Sequence, residues 1–542
     1  MMWLSLVVIS NFALLYFYFF IAKKFKIVDQ PRAERINKQV IVRGGGLCVI
    51  ISFLVQYFLL SQNILQPQLL LYSSIALLFI TIFFFIEDIH EISYYIRFTV
   101  QFIVAGIVVS YLFWQTLIEI FPFLNKYVIW AVLVIGLVWF MNLYNFMDGS
   151  DGMSSTNTIM ISIGSITVCM IAISIIEIGA IGSAVYDVMN LRKPQMFDQL
   201  NKVCKNGNIK YYNNSIKTFD IPNNGKVGLD RLNNHIDLIL EQHTRISSGV
   251  TNNLHKTEEK IKQKTQDTLD QGAKKIPSKI GSIPFANSLI DKAKQKLNKE
   301  ANKQIDKGAK KVNQKTNKFI SKNNDYVEEL KQYQTLLKSP FAYFVADKLP
   351  QKLIAQCHNL EYRLHLIITS IALLLSIVPF HILNRSPARI ILGDSGSVAI
   401  GLISGVMMLN LVKIFGLHGM FYALILCSYY IFETTTTLMY SITHKYNPLK
   451  PHLRHSFHRA ILAGAKHLSI ARLVMFFNLL MIIVACFISP SYSITKLFQI
   501  FAIVMLMNII FRKYLKNWKD SNLRLLTTIL FLLLLVVLCY FV

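Results

Sequence analysis

The chain has 542 residues, of which 53% are hydrophobic, 12% aromatic and only 16% charged, and its mean hydropathy is +0.43. Yet it carries a net charge of +26. A soluble globular domain averages roughly 45–50% apolar and about 25% charged residues, and a basic disordered chain is poor in apolar residues, so neither class fits.

In chain order the composition separates into two kinds of segment. Apolar runs of membrane-crossing length, where about 20 residues span a bilayer core, are predicted at 3–22, 44–61, 68–86, 97–114, 127–147 and 153–181, and again at 364–383, 397–413, 417–440, 470–489, 494–511 and 523–541. Their apolarity is continuous and lacks strand alternation, so helices are expected and barrel strands are not. The predicted fold class is an all-α polytopic membrane protein of about twelve transmembrane helices. Its first half is 1–182, and its second half, with extra C-terminal spans, is 364–542. Between them, 183–363 is a polar, Lys-rich insert that carries +14, against +12 for the rest of the chain.

Lys and Arg in short loops orient such a bundle. The loops after the first, ninth and eleventh spans hold Lys23, Lys24, Lys26, Arg32, Arg35, Lys38 and Arg43, then Lys445, Lys450, Arg454, Arg459 and Lys466, then Arg512, Lys513, Lys516, Lys519 and Arg524. Twelve spans put all three loops on one face, which is expected to be cytoplasmic, with both termini opposite. The N-terminal run lacks a clear small-residue cleavage site and is followed by basic residues, so a retained anchor is expected over a cleaved signal.

The insert follows the sixth span and is expected on the outer, periplasmic face; long loops largely escape the charge rule. Leu229, Leu232, Ile236, Ile239, His243, Ile246 and Val250 alternate 3,4 spacing, a heptad seam. Pro277 and Pro284 interrupt it, and an Ala- and Lys-rich helical stretch follows from about 285 to 320, so a helical hairpin is the expectation. A solvated spacer, a contact with anionic headgroups and a protein partner all remain open for it. Nucleic acid is not expected, because no aromatic platform interleaves the lysines. Cys204 and Cys357 lie in the insert and would be able to pair outside the cytoplasm, whereas Cys48, Cys169, Cys427, Cys486 and Cys539 sit in apolar runs.

Ionisable residues beside membrane spans are functional candidates by default, and here they gather at span ends on the predicted cytoplasmic face. The third span ends in Glu87-Asp88. The fifth ends in Asn142-Leu-Tyr-Asn145-Phe-Met-Asp148-Gly-Ser-Asp151-Gly152. The eighth is preceded by Pro387-Ala-Arg389-Ile-Ile-Leu-Gly393-Asp394-Ser-Gly-Ser397, and His452-Leu-Arg454-His455-Ser-Phe457-His458 follows the ninth. Taken singly, Glu87-Asp88 reads as a solvated helix end, Asp394 as a turn, and the histidines as a zinc half-site or a proton-sensitive loop. At helical spacing those histidines spread over roughly 120°, which suits one metal poorly. Two amides and two carboxylates after an apolar run have no packing reason. Together the carboxylates need a cation, and oxygen-only ligands suggest Mg²⁺, with Mn²⁺ possible, over zinc. The chemistry suggested is phosphoryl transfer. No GxxxxGK[ST] loop is present, so an ATPase-type cradle is excluded.

These motifs resemble the polyprenyl-phosphate N-acetylhexosamine-1-phosphate transferases, glycosyltransferase family 4, and within it the branch that initiates surface polysaccharides such as lipopolysaccharide. Asn142–Gly152, Pro387–Ser397, Arg43-Gly44-Gly45-Gly46 and the His452–Phe457 loop match its four motifs in order, over about 1–182 and 364–490. Glu87 stands where the family usually has Asp, Leu453 where it has Arg, and Glu433 where it has Asp. The resemblance implies that a UDP-N-acetylamino sugar and undecaprenyl phosphate are the substrates, that UMP leaves, and that the protein sits in a bacterial inner membrane. It implies catalytic roles for Asp88, Asp148, Asp151 and Asp394, and cation ligands among Asp394, Asp148 and Asp151. Arg43, Glu87, Asn142, Asn145, Arg389, His452, Arg454 and His455 are the expected substrate-binding residues. Two competing readings are a degenerate relative acting as a lipid-binding or interaction scaffold through its insert, and a transporter. The transporter is disfavoured because the carboxylates sit at span ends and not at the midplane.

Overall fold

Runs of apolar residues that meet lipid satisfy their backbone polar groups internally only as helices or closed barrels. In the computed structural model these runs are helices. The structure describes residues 2–30, 40–62, 67–90, 92–120, 125–171, 175–194, 359–447, 452–488, 492–518 and 522–541, with scattered positions between 230 and 338. The chain divides into two compact units: Met1–Ile173 with Ile181–Phe197 and Gln356–Val542, and Ser174–Ala180 with Asp198–Ala355.

The first unit is helical almost throughout: α1 (Met2–Lys24), α2 (Gly46–Ser61), α3 (Pro67–Ile89), α4 (Tyr94–Ile120), α5 (Lys126–Met147), α6 (Met153–Ile171), α7 (Ile175–Met189), α8 (Leu360–Asn384), α9 (Asp394–Phe415), α10 (Leu417–Leu426), α11 (Ser428–Thr443), α12 (Ser456–Leu462), α13 (His467–Phe487), α14 (Ile494–Lys516) and α15 (Asn522–Phe541). Among the described residues, seven helices are long and apolar enough to cross a membrane, and four more are apolar but shorter. Large apolar side chains also face outward, among them Phe17, Phe20, Ile107, Val132 and Leu534. Outside lipid such a surface is a liability. The protein is an all-α polytopic membrane protein.

Every predicted apolar run falls on a helix or a helix pair. The run at 153–181 is α6 and α7, and the run at 417–440 is α10 and α11, broken at Cys427. The basic loop that follows contains a short helix, α12, that the hydropathy pattern did not announce.

Helix α9 packs on α5 and α3, while α8 packs on α6 and α2. Two short strands, β1 (Val28–Asp29) and β2 (Ile41–Val42), pair antiparallel, and Val42 bridges in parallel to Ile390. Backbone hydrogen bonds continue that pairing from Gly45 N–H to Ile391 O (3.0 Å) and from Gly46 N–H to Leu392 O (2.9 Å). The starts of α2 and α9 therefore abut. A Cβ at Gly46 would overlap the Gly396 backbone, which accounts for glycine in both motifs.

In the second unit the described positions are helical over much of 230–267 and 292–314. Ile236 of the heptad seam is buried, and Gln334 donates to Asn233 O and to Asp237 Oδ1. The other seam residues and Cys204 and Cys357 lie outside the described residues. The remaining five cysteines are free.

Candidate active site

The first four N–H groups of a helix have no partner within it. At α9 the partner is Asp88, from the end of α3. Asp88 Oδ1 accepts the Asp394 N–H (2.8 Å), and Oδ2 accepts the Ser395 N–H (3.1 Å) and hydroxyl (2.7 Å). Arg43 Nε completes its shell at 2.8 Å, and the side chain is fully buried. Gly393, just before α9, has φ +74°, and a Cβ there would strike the Asp88 carboxylate. The glycine lets the carboxylate cap the helix.

Two further carboxylates join Asp88. Ligand oxygens of Glu87, Asp88 and Asp394 lie within 4.8 Å of one another, the group among the described residues able to hold a metal ion. Arg43 Nη2 lies 3.3 Å from Asp394 Oδ1; Arg97 Nη1 lies 3.0 Å from Glu87 Oε1 and 3.6 Å from Asp394 Oδ2. Three carboxyl groups meet two guanidiniums here. Glu87 Oε2 is buried with no hydrogen-bond partner. That orphaned oxygen and the adjoining Asp394 suit a hard cation with oxygen ligands; Asp88, saturated by N–H donors, suits it less.

Asp148 and Asp151 are not in this group. Asp148 caps the C-terminus of α5; burial, reinforced by the charges of Asp394 and Asp88, pushes its pKa up to about 8. Asp151 accepts the Ala388 N–H (3.2 Å) and lies 4.0 Å from His467 Nδ1. It ties the 148–152 loop to the loop before α9. Asn384 does the same, accepting from Gly152 N–H (3.1 Å) and donating to Ile390 O (2.9 Å). Asn142 is also turned away from the carboxylates: it pairs with the buried Gln101 of α4 at 2.7 Å. Arg389 is exposed.

The histidine loop forms a second centre. His452, His455 and His458 lie with ring centroids 5.2 Å and 5.6 Å apart, because only His458 is within α12 while His455 caps it. Burial lowers the pKa of His452 to about 4 and of His458 to about 3, and the charge of His455 adds to both shifts. The His458 ring rests against Gly149, joining this loop to the Asp148 loop. Arg454 turns to Ser441 (3.1 Å) and stacks over Tyr446.

The loop is held by a copy of the Asp88 device. Buried Glu433 accepts the Ser456 N–H (2.6 Å) and hydroxyl (2.8 Å) at the start of α12, and Arg512 Nε of α14 donates to it at 3.1 Å. His455 Nδ1 lies 3.6 Å away.

Residues 70–191 and 341–412 match a family model described as glycosyl transferase family 4. The family 4 match breaks across most of the insert and contains Glu87, Asp88, Arg97, Asn145, Asp148 and Asp394; Arg43, the histidine loop and α14 lie beyond it. It supports a membrane-embedded transferase of sugar phosphate to a polyprenyl phosphate acceptor. No curated protein matches the chain.

Sequence reasoning missed Arg97, His458 as a partner of Gly149, and Arg512. Arg97 opens an apolar run, where an arginine reads as an end anchor with its head in water. Only the fold of α4 against α3 shows that it faces two carboxylates.

Proposed function

We propose that this protein transfers an N-acetylamino-sugar-1-phosphate from a UDP-sugar to undecaprenyl phosphate. The observation that carries the reading is Glu87, Asp88 and Asp394 gathered with Arg43 and Arg97 at one end of a membrane helix bundle. A polyprenyl phosphate enters such a site from the bilayer, and a nucleotide sugar enters from water.

In this reading an oxygen of the lipid phosphate bonds to the β-phosphorus of the UDP-sugar, and the bond from that phosphorus to the bridging oxygen breaks. UMP leaves with the electron pair, and lipid-diphosphate-sugar remains. Mg²⁺ or Mn²⁺ held by Asp394 and Glu87 would supply charge neutralisation on the diphosphate. Arg97 is half-exposed and offers a guanidinium fork to phosphate oxygens. Arg43 orients Asp88 and Asp394. Asp88 positions α9, since both its oxygens are occupied; a phosphate monoester is already largely ionised near neutral pH, with a second pKa of about 6, so alignment outweighs proton removal. In the same reading Asp148 and Asn145 adjoin Asp394, and His452 and His455 meet the nucleotide.

Lys23 and Lys24 close α1, and Lys513 and Lys516 close α14, the helix whose Arg512 reaches the histidine loop. This basic loading supports a cytoplasmic active-site face in a bacterial inner membrane. The test is purified protein with undecaprenyl phosphate, Mg²⁺ and a panel of UDP-N-acetylamino sugars, scored for UMP. Release with one sugar and none without lipid is expected. No release with any sugar overturns the reading in favour of a non-catalytic scaffold.

A further inference from the structure

The insert is unexplained by any transfer chemistry, and six of its described lysines share one helical face. The described positions of its second helical stretch include Lys292, Lys296, Lys299, Lys303, Lys307 and Lys310, all helical and all exposed. At about 100° per residue these six fall within a sector of about 80°, and at about 1.5 Å per residue they extend along roughly 27 Å. On the same projection the described Gln314 lies inside the sector, while the acidic Glu300 lies about 20° beyond its edge. A spacer needs lysines only for solubility and has no reason to phase them.

We propose that this lysine face docks on the anionic headgroup surface of the bilayer. Three observations select that occupant. The insert is continuous at both ends with apolar helices, α7 ending at Met189 and α8 starting at Leu360, so a bilayer surface is held at high effective concentration by the chain itself. Six ammonium point charges within one helical sector suit a plane of phosphates. The six described positions interleave no aromatic ring, which a single-stranded nucleic acid would use for stacking. Each lysine at such a surface multiplies partitioning by about fivefold. The effect is electrostatic and collapses when salt shortens the screening length to about 4 Å.

The experiment uses the full chain in nanodiscs of neutral phosphatidylcholine or of phosphatidylcholine with one third phosphatidylglycerol. An amine-reactive reagent labels lysines, and mass spectrometry reads each site. The six lysines are expected to label about fivefold more slowly in the anionic discs, the difference vanishing at 0.5 M NaCl, with Lys338, paired to Asp237, unchanged. A photo-crosslinker at Gln314 is expected to capture phosphatidylglycerol, and to lose it when the six lysines are changed to glutamine in a chain that still assembles. Equal labelling in both discs overturns the proposal. Protection indifferent to lipid charge or salt, which would mean a protein contact, overturns it too, as does protection that appears only on adding single-stranded RNA.

Discussion

Glu87, Asp88 and Asp394 look alike in sequence but have different surroundings, and their substitutions separate accordingly. Asp394 is partly exposed beside Arg43 and Arg97, and its carboxylate does not cap the helix. Asp394→Asn should lower UMP release by on the order of 10²–10³, the loss typical of one preorganised charge partner, while the melting temperature barely moves. Asp88→Asn should lower both, because an amide NH₂ would face the N–H groups that Asp88 now accepts, and Arg43 would lose a buried partner. The stability loss should be about 2 kcal/mol or more, at the upper end for an N-cap, read as a fall in melting temperature in detergent. Arg97→Ala should cost on the order of 10² in rate, and Arg97→Lys should recover only part of it, since an ammonium does not reproduce the fork. The histidine loop makes a pH statement at the same scale. Burial holds the folded-state pKa of His458 near 3, below the usual value of about 6.5. The unfolded chain therefore binds the extra proton first as pH falls, so stability is present above about 6.5 and is lost below it. Thermal midpoints should drop between pH 7.5 and 5, and less steeply in His458→Asn.

Two helices in this unit, α9 and α12, are held at their starts by a buried carboxylate from another helix. Asp88 of α3 with Arg43 holds α9, and Glu433 of α11 with Arg512 holds α12. Both devices fasten a Ser at the helix start by hydroxyl and N–H. Arg512 belongs to a helix beyond the family match, so the C-terminal spans supply part of the support for the histidine loop. Arg512→Met should leave Glu433 buried without its guanidinium and loosen the loop. If the loop binds nucleotide, KM for the UDP-sugar should rise more than kcat falls, and Arg512→Lys should restore part of it; a pure loss of kcat would place the loop's role in the chemical step. The sequence made these helices legible, because continuous apolarity has one structural solution in lipid. It also made the carboxylates legible, since polar groups at span ends have no packing excuse. It did not distinguish Asp151 and Asn142, which stitch loops and helices together, from Asp394, because a brace and a ligand share residue type and spacing. It hid Arg97 and Arg512, whose partners are distant in sequence or set by helix packing.

At the scale of the whole chain, the charge of +26 splits almost evenly between the membrane runs and the insert. The two halves of that charge face different demands. In the first unit, Arg43, Arg97 and Arg512 are held by geometry against buried carboxylates. In the insert, lysines repeat along a helix, where number matters more than place. The family match stops at 191 and resumes at 341, so the matched segments are interrupted and not replaced by the insert. Every residue of the carboxylate cluster and of the histidine loop belongs to the first unit, whose bounds exclude 198–355. Replacing 198–355 by a flexible linker should therefore leave UMP release within about an order of magnitude of the intact chain when the protein is saturated with short-chain polyprenyl phosphate in detergent. Loss of all release from a variant that still purifies as a monodisperse helical protein would show that the insert is needed for the site itself. Preserved chemistry in detergent with reduced turnover in anionic bilayers would instead assign the insert to the membrane surface, where its lysine face has a ligand.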